Sequence, residues 1–269
     1  MIVKGFINDK LIDCGNAQVS AYDLGLNRGY AVFDFFRIVN GNFRFLSDHL
    51  DRFINSIYLA KIPNPYSKSQ LHDKVLELQA INKVDNGYIR ITLTAGTSLN
   101  FGSLAASTLI VLTGVSGANT KTDYTEGVKL ISKTHQRSFP RIKSTDYFFP
   151  QMLHEELQAA NATDVLYATN FITETSRANI FCVKDGKIST PQKNILEGIT
   201  RKKIVMLEPS IILTDITIKD LYASDEVFIT SSSKELMPVV QIDNQIIGTG
   251  KVGQVYRNLH TQFSTFCKQ

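Results

Sequence analysis

Several short stretches of this chain hold residues whose type and spacing could do chemistry. In "FPRIKSTDYFFP", Phe139 to Pro150, one lysine, Lys143, stands among aromatics and prolines. A solvated loop lysine is the bland reading. The sharper one is an amine partly withdrawn from water, whose pKa falls so that the nucleophilic free base is accessible. In "FITETSRANIF", Phe171 to Phe181, Glu174 lies among apolar and small residues. It either faces solvent from a surface strand or is buried, and a buried carboxylate needs a cationic or donor partner. "ILEGITRKKIV" sets Gly198 before a helix start, where Ile199 and Thr200 would offer backbone N–H groups and a hydroxyl to an anion. A plain glycine at a helix N-terminus is the alternative. "ITSSSKE" places Ser231 and Ser232 directly after an apolar strand, as a second donor cluster or as a simple polar turn. Arg52, in "SDHLDRF", would add a fixed positive charge or else sit on a solvated helix face.

Taken together, a desolvatable lysine, an anion cradle and a buried carboxylate are what pyridoxal 5'-phosphate requires. The lysine forms a Schiff base with the aldehyde, the cradle anchors the phosphate, and the carboxylate keeps the pyridine nitrogen protonated so that the ring accepts electrons. Other site chemistries fare worse. His49, His72, His135, His154 and His260 are scattered without H-x-x-x-H spacing, so no metal site is expected. No G-x-S-x-G elbow occurs. "GTGKVG", Gly248 to Gly253, matches G-x-G-x-x-G, but only 16 residues follow it, too few for a βαβ nucleotide unit.

The elements that must position these residues read as an α/β (α+β) chain. "MIVKGFINDKLIDC" predicts two strands turning at Asn8-Asp9, and "YAVFDFFRIVNGNFRFL" two more joined at Asn40-Gly41. Ser47 is the expected N-cap of a helix with Leu50, Phe53, Ile54 and Ile57 on one face, closed by Pro63 and Pro65. A helix from about Lys68 to Ile81 and the strands "GYIRITLTAG" and "STLIVLTG" complete a small N-terminal domain, residues 1–115. The polar run from Val115 to Gly127 suggests an interdomain linker, centred on residues 116–126. A larger domain, residues 127–269, follows. It starts with the strand "VKLISKT". Next comes a helix with Met152, Leu153 and Leu157 inward, then strands in "VLYATN", "FITETS", "NIFCVKDG", "KIST", "IILTDITI" and "DEVFITSSS". "GITRKKIVML" starts a helix that Pro209 ends, and a last helix carries Val252, Val255, Tyr256, Leu259, Phe263 and Phe266.

Bulk properties set the outer limits. A net charge of +4 is too weak an excess to argue for nucleic acid, though it suits a small anion. No apolar run approaches the length of a membrane span, and "MIVKGFINDK" is no signal peptide. Three widely separated cysteines fit a reducing compartment, so a cytoplasmic location is expected.

"RGYAVFDFFR", "HLDRF", "IKSTDY", "ITETSRANIF", "LEGITR" and "SSSKELMPV" run in this order over residues 28–239. In that order the chain resembles the fold-type IV, or class IV, pyridoxal-phosphate aminotransferases. The resemblance implies a two-domain fold like that of D-amino-acid aminotransferases, a homodimer, an interdomain cofactor site, and small-molecule amino and keto acid substrates. It also implies roles: Arg52 for the phosphate, Lys143 for the aldehyde, Glu174 for the pyridine nitrogen, and Leu196 packed on the ring. Ile199, Thr200 and Ser232, with Ser231 beside it, would be phosphate donors. Asp146 departs from the family's usual asparagine.

Within the family, "FDFFR", Phe33 to Arg37, replaces the F-E-G-x-R typical of branched-chain enzymes, and the short Lys143–Asp146 spacing is similar to the D-amino-acid and lyase groups. Phe35 stands where the lyases often have threonine. "TSLNFGS" lacks the arginine-x-histidine pair of familiar D-amino-acid enzymes. Arg90, in a central strand, and Arg28, from the neighbouring subunit, are expected to take the substrate carboxylate instead, with Phe33 and Phe35 in the pocket wall. The alternative for each arginine is an ion pair with Asp34 or Asp23. The leading expectation is transfer between a D-amino acid and 2-oxoglutarate or pyruvate. A branched-chain L-amino-acid aminotransferase, a 4-amino-4-deoxychorismate lyase, and a cofactor-binding protein with little catalysis follow as alternatives.

Overall fold

The computed structural model describes residues 3–100, 106–115 and 121–268. The chain divides into two compact units, residues 1–117 with 142–146, and residues 118–141 with 147–269. The short segment holding Lys143 thus belongs with the N-terminal unit.

The first unit contains β1 (Lys4–Ile7), β2 (Lys10–Asp13), α1 (Leu24–Arg28), β3 (Ala31–Val39), β4 (Asn42–Phe43), α2 (Leu46–Ala60), α3 (Lys68–Asn82), β5 (Asn86–Thr94) and β6 (Thr108–Val115). Its strands form an antiparallel sheet in the order β2-β1-β6-β5-β3-β4. Asn40 and Gly41, both with positive φ (50° and 77°), make the tight β3–β4 turn that their side chains permit. Alternation along β3 and β5 sends Phe36, Ile38, Ile89, Ile91 and Leu93 to one face, where Leu50, Phe53 and Ile57 of α2 and Leu71, Val75 and Leu78 of α3 bury them. The opposite face carries Phe33, Phe35, Tyr88 and Arg90.

The start of α2 differs from expectation. Phe45, not Ser47, is the N-cap, with φ 54° and no side-chain cap. The Ser47 hydroxyl instead accepts from Lys68 Nζ at 2.9 Å. In α3, Ser67 and Gln70 close a reciprocal capping box.

The second unit contains α4 (Lys121–Glu126), β7 (Val128–Thr134), α5 (Phe148–Met152), α6 (His154–Ala159), β8 (Asp164–Ala168), β9 (Ile172–Thr175), β10 (Asn179–Lys184), β11 (Lys187–Pro191), α7 (Ile199–Leu207), β12 (Ile212–Thr214), α8 (Ile218–Tyr222), β13 (Glu226–Ser231), β14 (Glu235–Ile242), β15 (Gln245–Ile246) and α9 (Gln254–Phe266). Pairing runs β12-β11-β10-β13-β14-β7-β8-β9, and β9 also pairs with β10 through Glu174 and Asn179. That last pair bends the sheet back on itself and closes a ring of strands. Its core includes Leu130, Leu166, Ile180, Ile229, Met237 and Ile242.

Two expectations do not hold in this unit, and one strand went unread. Met152 is 66% exposed, because the predicted single helix breaks at Leu153 into α5 and α6 and the helical spacing does not carry across. The strand expected in "IILTDITI" stops at Thr214, since Thr217 and Asp220 form a capping box that starts α8 at Ile218. The strand β14, with Pro238 inside it, was not among the strands read from sequence. Pro238 pairs with Phe228 of β13, and the β7 pairing shifts register just beyond it, between Val239 and Gln241. Of the expected linker, residues 116–120 lie outside the described residues, while Lys121–Glu126 form α4.

"GTGKVG" ends in a structural lock. Glu226 accepts from Val255 N and Tyr256 N at 2.9 and 2.8 Å, so a carboxylate already occupies the start of α9. A Cβ on Gly253 would meet Glu226 Cδ at 1.9 Å. Among the described residues, no helix is long and apolar enough to cross a membrane.

Candidate active site

In the first unit, Lys143 is pinned by its own backbone. Its N–H donates to Ser56 Oγ of α2 at 3.2 Å, and its carbonyl accepts from Phe33 N at 2.8 Å. Thr145 N donates to Ala31 O at 3.1 Å, so the segment extends the edge of β3. The Lys143 amine lies 4.6 Å from the centroid of the Phe33 ring, and the Arg90 guanidinium lies 4.4 Å from the same centroid. Both cations therefore gather on one buried aromatic. Beside them Phe35 and Tyr88 stack at 4.9 Å.

Arg90 is exposed, not enclosed as its central-strand position suggested, because it points to the face away from α2 and α3. Asp34 and Asp23 have other partners. Asp23 accepts from Gly25 N at 2.7 Å and from Thr94 Oγ1 at 2.8 Å. Asp34, fully buried in the strand face under α2, takes a two-pronged contact from Arg52, Nε to Oδ2 at 2.9 Å and Nη2 to Oδ1 at 2.8 Å. His49 Nδ1 lies 2.7 Å from Asp34 Oδ1. A carboxylate can only accept, so that nitrogen carries the proton.

Burial opposes charge on Asp34, but Arg52 and His49 outweigh it and hold the carboxyl well below its usual range. Burial pushes the His49 imidazole down, with Arg52 and Lys143 acting in the same direction against the pull of Asp34. His49, the Asp34 partner of Arg52, and Ser56 were not singled out from sequence. Arg28, exposed at the end of α1, donates to its neighbour Asn27 O at 3.0 Å.

In the second unit, Glu174 is 4% exposed, which settles it as a buried carboxylate. Its Oε2 accepts from Leu196 N at 3.0 Å and its Oε1 from Arg137 Nη1 at 3.2 Å. Asn179 Nδ2 donates to Leu196 O at 2.8 Å, fixing the other end of that residue. Gly198 is needed beside it: a Cβ there would meet Asn179 Oδ1 at 2.0 Å. Gly198 is the N-cap of α7 and has no side chain to cap it; Ile199 and Thr200 open the first turn, both buried. The first N–H groups of a helix lack intrahelical acceptors, so this end favours an anion.

Ser231 ends β13, and its hydroxyl accepts from Lys234 N at 3.1 Å, so a turn follows with Ser232 inside it. Burial raises the Tyr167 phenol above its usual range. Arg137, Asn179 and Tyr167 escaped the sequence reading. An arginine or tyrosine at those positions has no distinctive spacing, and only the fold brings Arg137 to Glu174.

Each unit by itself offers features that suit pyridoxal 5'-phosphate: in the second, a buried carboxylate with a donor on each oxygen and a glycine-opened helix start; in the first, an amine resting on an aromatic ring. Comparison with known proteins identifies the group. The family model for amino-transferase class IV matches residues 31–242, and the chain belongs to that family. Class IV aminotransferases use pyridoxal 5'-phosphate and move an amino group between amino and keto acids.

A D-alanine aminotransferase of Staphylococcus haemolyticus is 30% identical over 279 residues, covering 98% of each chain. The branched-chain-amino-acid aminotransferase-like protein 2 of Arabidopsis thaliana is also 30% identical, over 96% of this chain and 49% of its own length. The branched-chain amino acid aminotransferase of Escherichia coli shares the fold. Its TM-score is 0.91 at 21% identity, over 98% of this chain and 94% of that one.

Proposed function

We propose that this aminotransferase transfers the amino group of a D-amino acid to a 2-oxo acid such as 2-oxoglutarate or pyruvate, with pyridoxal 5'-phosphate held on Lys143. The observation that carries the reading is the pairing of Lys143 and Arg90 on the Phe33 ring, 4.6 and 4.4 Å from its centroid. The amine and the guanidinium are then no further apart than those two distances laid end to end. Both groups are therefore within reach of one small carboxylate-bearing substrate, such as an amino or keto acid. Arg90 binds the carboxylate as a fork, and Arg28 of the partner subunit assists in a homodimer. Phe33 and Phe35 form the pocket wall.

Bound pyridoxal 5'-phosphate supplies an electron sink for the substrate's α-carbon. Lys143 Nζ takes and returns the α-proton, and its backbone anchors at Ser56 and Phe33 keep the amine in register. Glu174 would hold the proton on the ring nitrogen. Leu196 would pack on the ring, and Ile199, Thr200, Ser231 and Ser232 would donate to the phosphate. Arg52 adds its charge, with the Asp34 contact fixing where the guanidinium sits.

The D preference draws support from the Arg28 and Arg90 pair, from the short Lys143–Asp146 spacing and from the full-length similarity to the S. haemolyticus enzyme. The second reading, a branched-chain L-amino-acid aminotransferase, draws on the A. thaliana relative and on the apolar wall. The experiment is a panel of single D- and L-amino acids added to the yellow holoenzyme. D-Alanine or D-glutamate should bleach the cofactor band to the pyridoxamine form, and K143A should not respond. Bleaching by L-leucine or L-valine alone would transfer the assignment to the second reading. No response to any amino acid would leave a binding protein. A cytoplasmic setting belongs to the same proposal and rests on cysteines that remain thiols.

A further inference from the structure

We propose that Arg137 is a positioning residue that sets the charge on Glu174 and, through it, the proton on the cofactor's ring nitrogen. The inference rests on the reading above that Glu174 faces that nitrogen.

Glu174 is withdrawn from water, and each carboxylate oxygen has a donor: Leu196 N on Oε2 at 3.0 Å and Arg137 Nη1 on Oε1 at 3.2 Å. The two donors differ in kind. The Leu196 N–H is neutral and fixes orientation. Its own position is fixed in turn, since Asn179 Nδ2 holds Leu196 O at 2.8 Å and Asn179 pairs with Glu174 across the strands that close the ring. Arg137 brings a full positive charge, and it is itself 16% exposed. The same Nη1 also donates to Pro140 O at 3.3 Å, so the guanidinium spans from Glu174 to the segment that leads in sequence to Lys143.

Arg201 also senses Glu174 electrostatically, but its guanidinium is bonded to Thr190 Oγ1 at 3.2 Å and Pro191 O at 2.8 Å. Of these two arginines, Arg137 is the one in contact with the carboxylate.

A ring nitrogen and a buried carboxyl that share one proton compete for it. A contacting guanidinium makes the carboxyl the weaker base, so the proton rests on nitrogen and the ring stays a strong electron sink. Without the guanidinium, the buried Glu174 keeps the proton and the ring nitrogen is left neutral. No bond to carbon changes in this step; one proton changes its resting place.

The test begins on the cofactor-free protein. Glutamate labelled with 13C at the side-chain carboxyl is incorporated, and the Glu174 signal is assigned by its loss in Glu174→Gln. The titration midpoint of Glu174 should rise by about 1 unit or more in Arg137→Gln, the range expected for loss of a contacting opposite charge. Arg137→Lys, which keeps a cation but not the planar guanidinium, should return most of that shift. The second readout is the chemical shift of 15N at the ring nitrogen of added pyridoxal 5'-phosphate. It should move toward the unprotonated range in Arg137→Gln and stay near wild type in Arg137→Lys. A merely structural arginine would alter melting temperature and leave both signals in place. An unchanged Glu174 midpoint in folded Arg137→Gln overturns the proposal, as does an Arg137→Lys midpoint raised as far as that of the glutamine variant. If wild-type protein takes up no cofactor, the functional reading fails, while the cofactor-free titration still decides the part played by Arg137.

Discussion

His49 and Asp34 bury two titratable groups under α2, and their effects on stability can be worked out by sign. The His49 pKa is lowered in the fold from 6.5, so below about that pH the unfolded chain binds a proton that the folded chain refuses. Stability should fall as pH drops from 7.5 to 5. The Asp34 pKa is lowered too, so its contribution is complete above the unfolded value of 3.8 and is lost on further acidification. Thermal melts at pH 7.5, 6 and 5 check the first part: H49Q should flatten the slope between 6.5 and 5. H49F, which has no donor, should in addition cost about 1–3 kcal/mol at pH 7.5, because Asp34 loses a buried donor. A wild-type melting temperature flat across that window would refute the assignment. At the same scale, R90A should raise the keto acid KM by about 10–100-fold, as expected for loss of a charged hydrogen-bonding partner, with cofactor absorbance unchanged. Steady-state kinetics alongside a spectrum measures both. Equal KM values in wild type, R90A and R28A would remove both arginines from substrate binding.

Elements were legible where one period or one turn decides them. The β3–β4 hairpin at Asn40-Gly41 and α3 follow from local rules, and each is present. Elements whose ends depend on distant partners were not. Ser47 is not a cap because α2 already starts at Leu46, and β14 tolerates Pro238 because the β7 pairing shifts just past it. Gly198 gives a test at this scale. Its φ of −64° suits any residue, so the constraint is space alone. G198A must displace the Asn179 amide, and overpacking of this kind costs about 1–3 kcal/mol. Loss of the Asn179–Leu196 contact should also weaken cofactor binding, which a fluorescence titration with pyridoxal 5'-phosphate would register. Likewise E226A leaves Val255 N and Tyr256 N without their acceptor and should lower stability by about 1–2 kcal/mol in urea unfolding, with activity kept.

At the scale of the molecule, the proposed use of Arg28 from the partner subunit makes a prediction that neither single variant can. K143A should be inactive alone, and R28A nearly so at a keto acid concentration well below its raised KM, the condition used for the mixture. Mixed and allowed to exchange subunits, they should form hybrid dimers in which one site has both residues intact, so activity should recover to about a quarter of wild type for equal amounts of an isologous dimer. Continued inactivity, with hybrids shown by native mass spectrometry, would place Arg28 outside the partner's site.

The sequence by itself determined the family, the cofactor and the order of the site motifs, because covalent and phosphate-binding roles demand particular residue types at particular chain positions. Glycine before a helix start, a lysine between prolines and a glutamate in an apolar strand can be read one dimension at a time. Tertiary structure alone decided what surrounds them. The Asp34, His49 and Arg52 cluster joins a strand to a helix, and the Arg137 contact to Glu174 joins residues 37 positions apart. Those charges found one another because burial left each with a desolvation cost that only a partner across the fold could offset, and no local pattern records such a meeting.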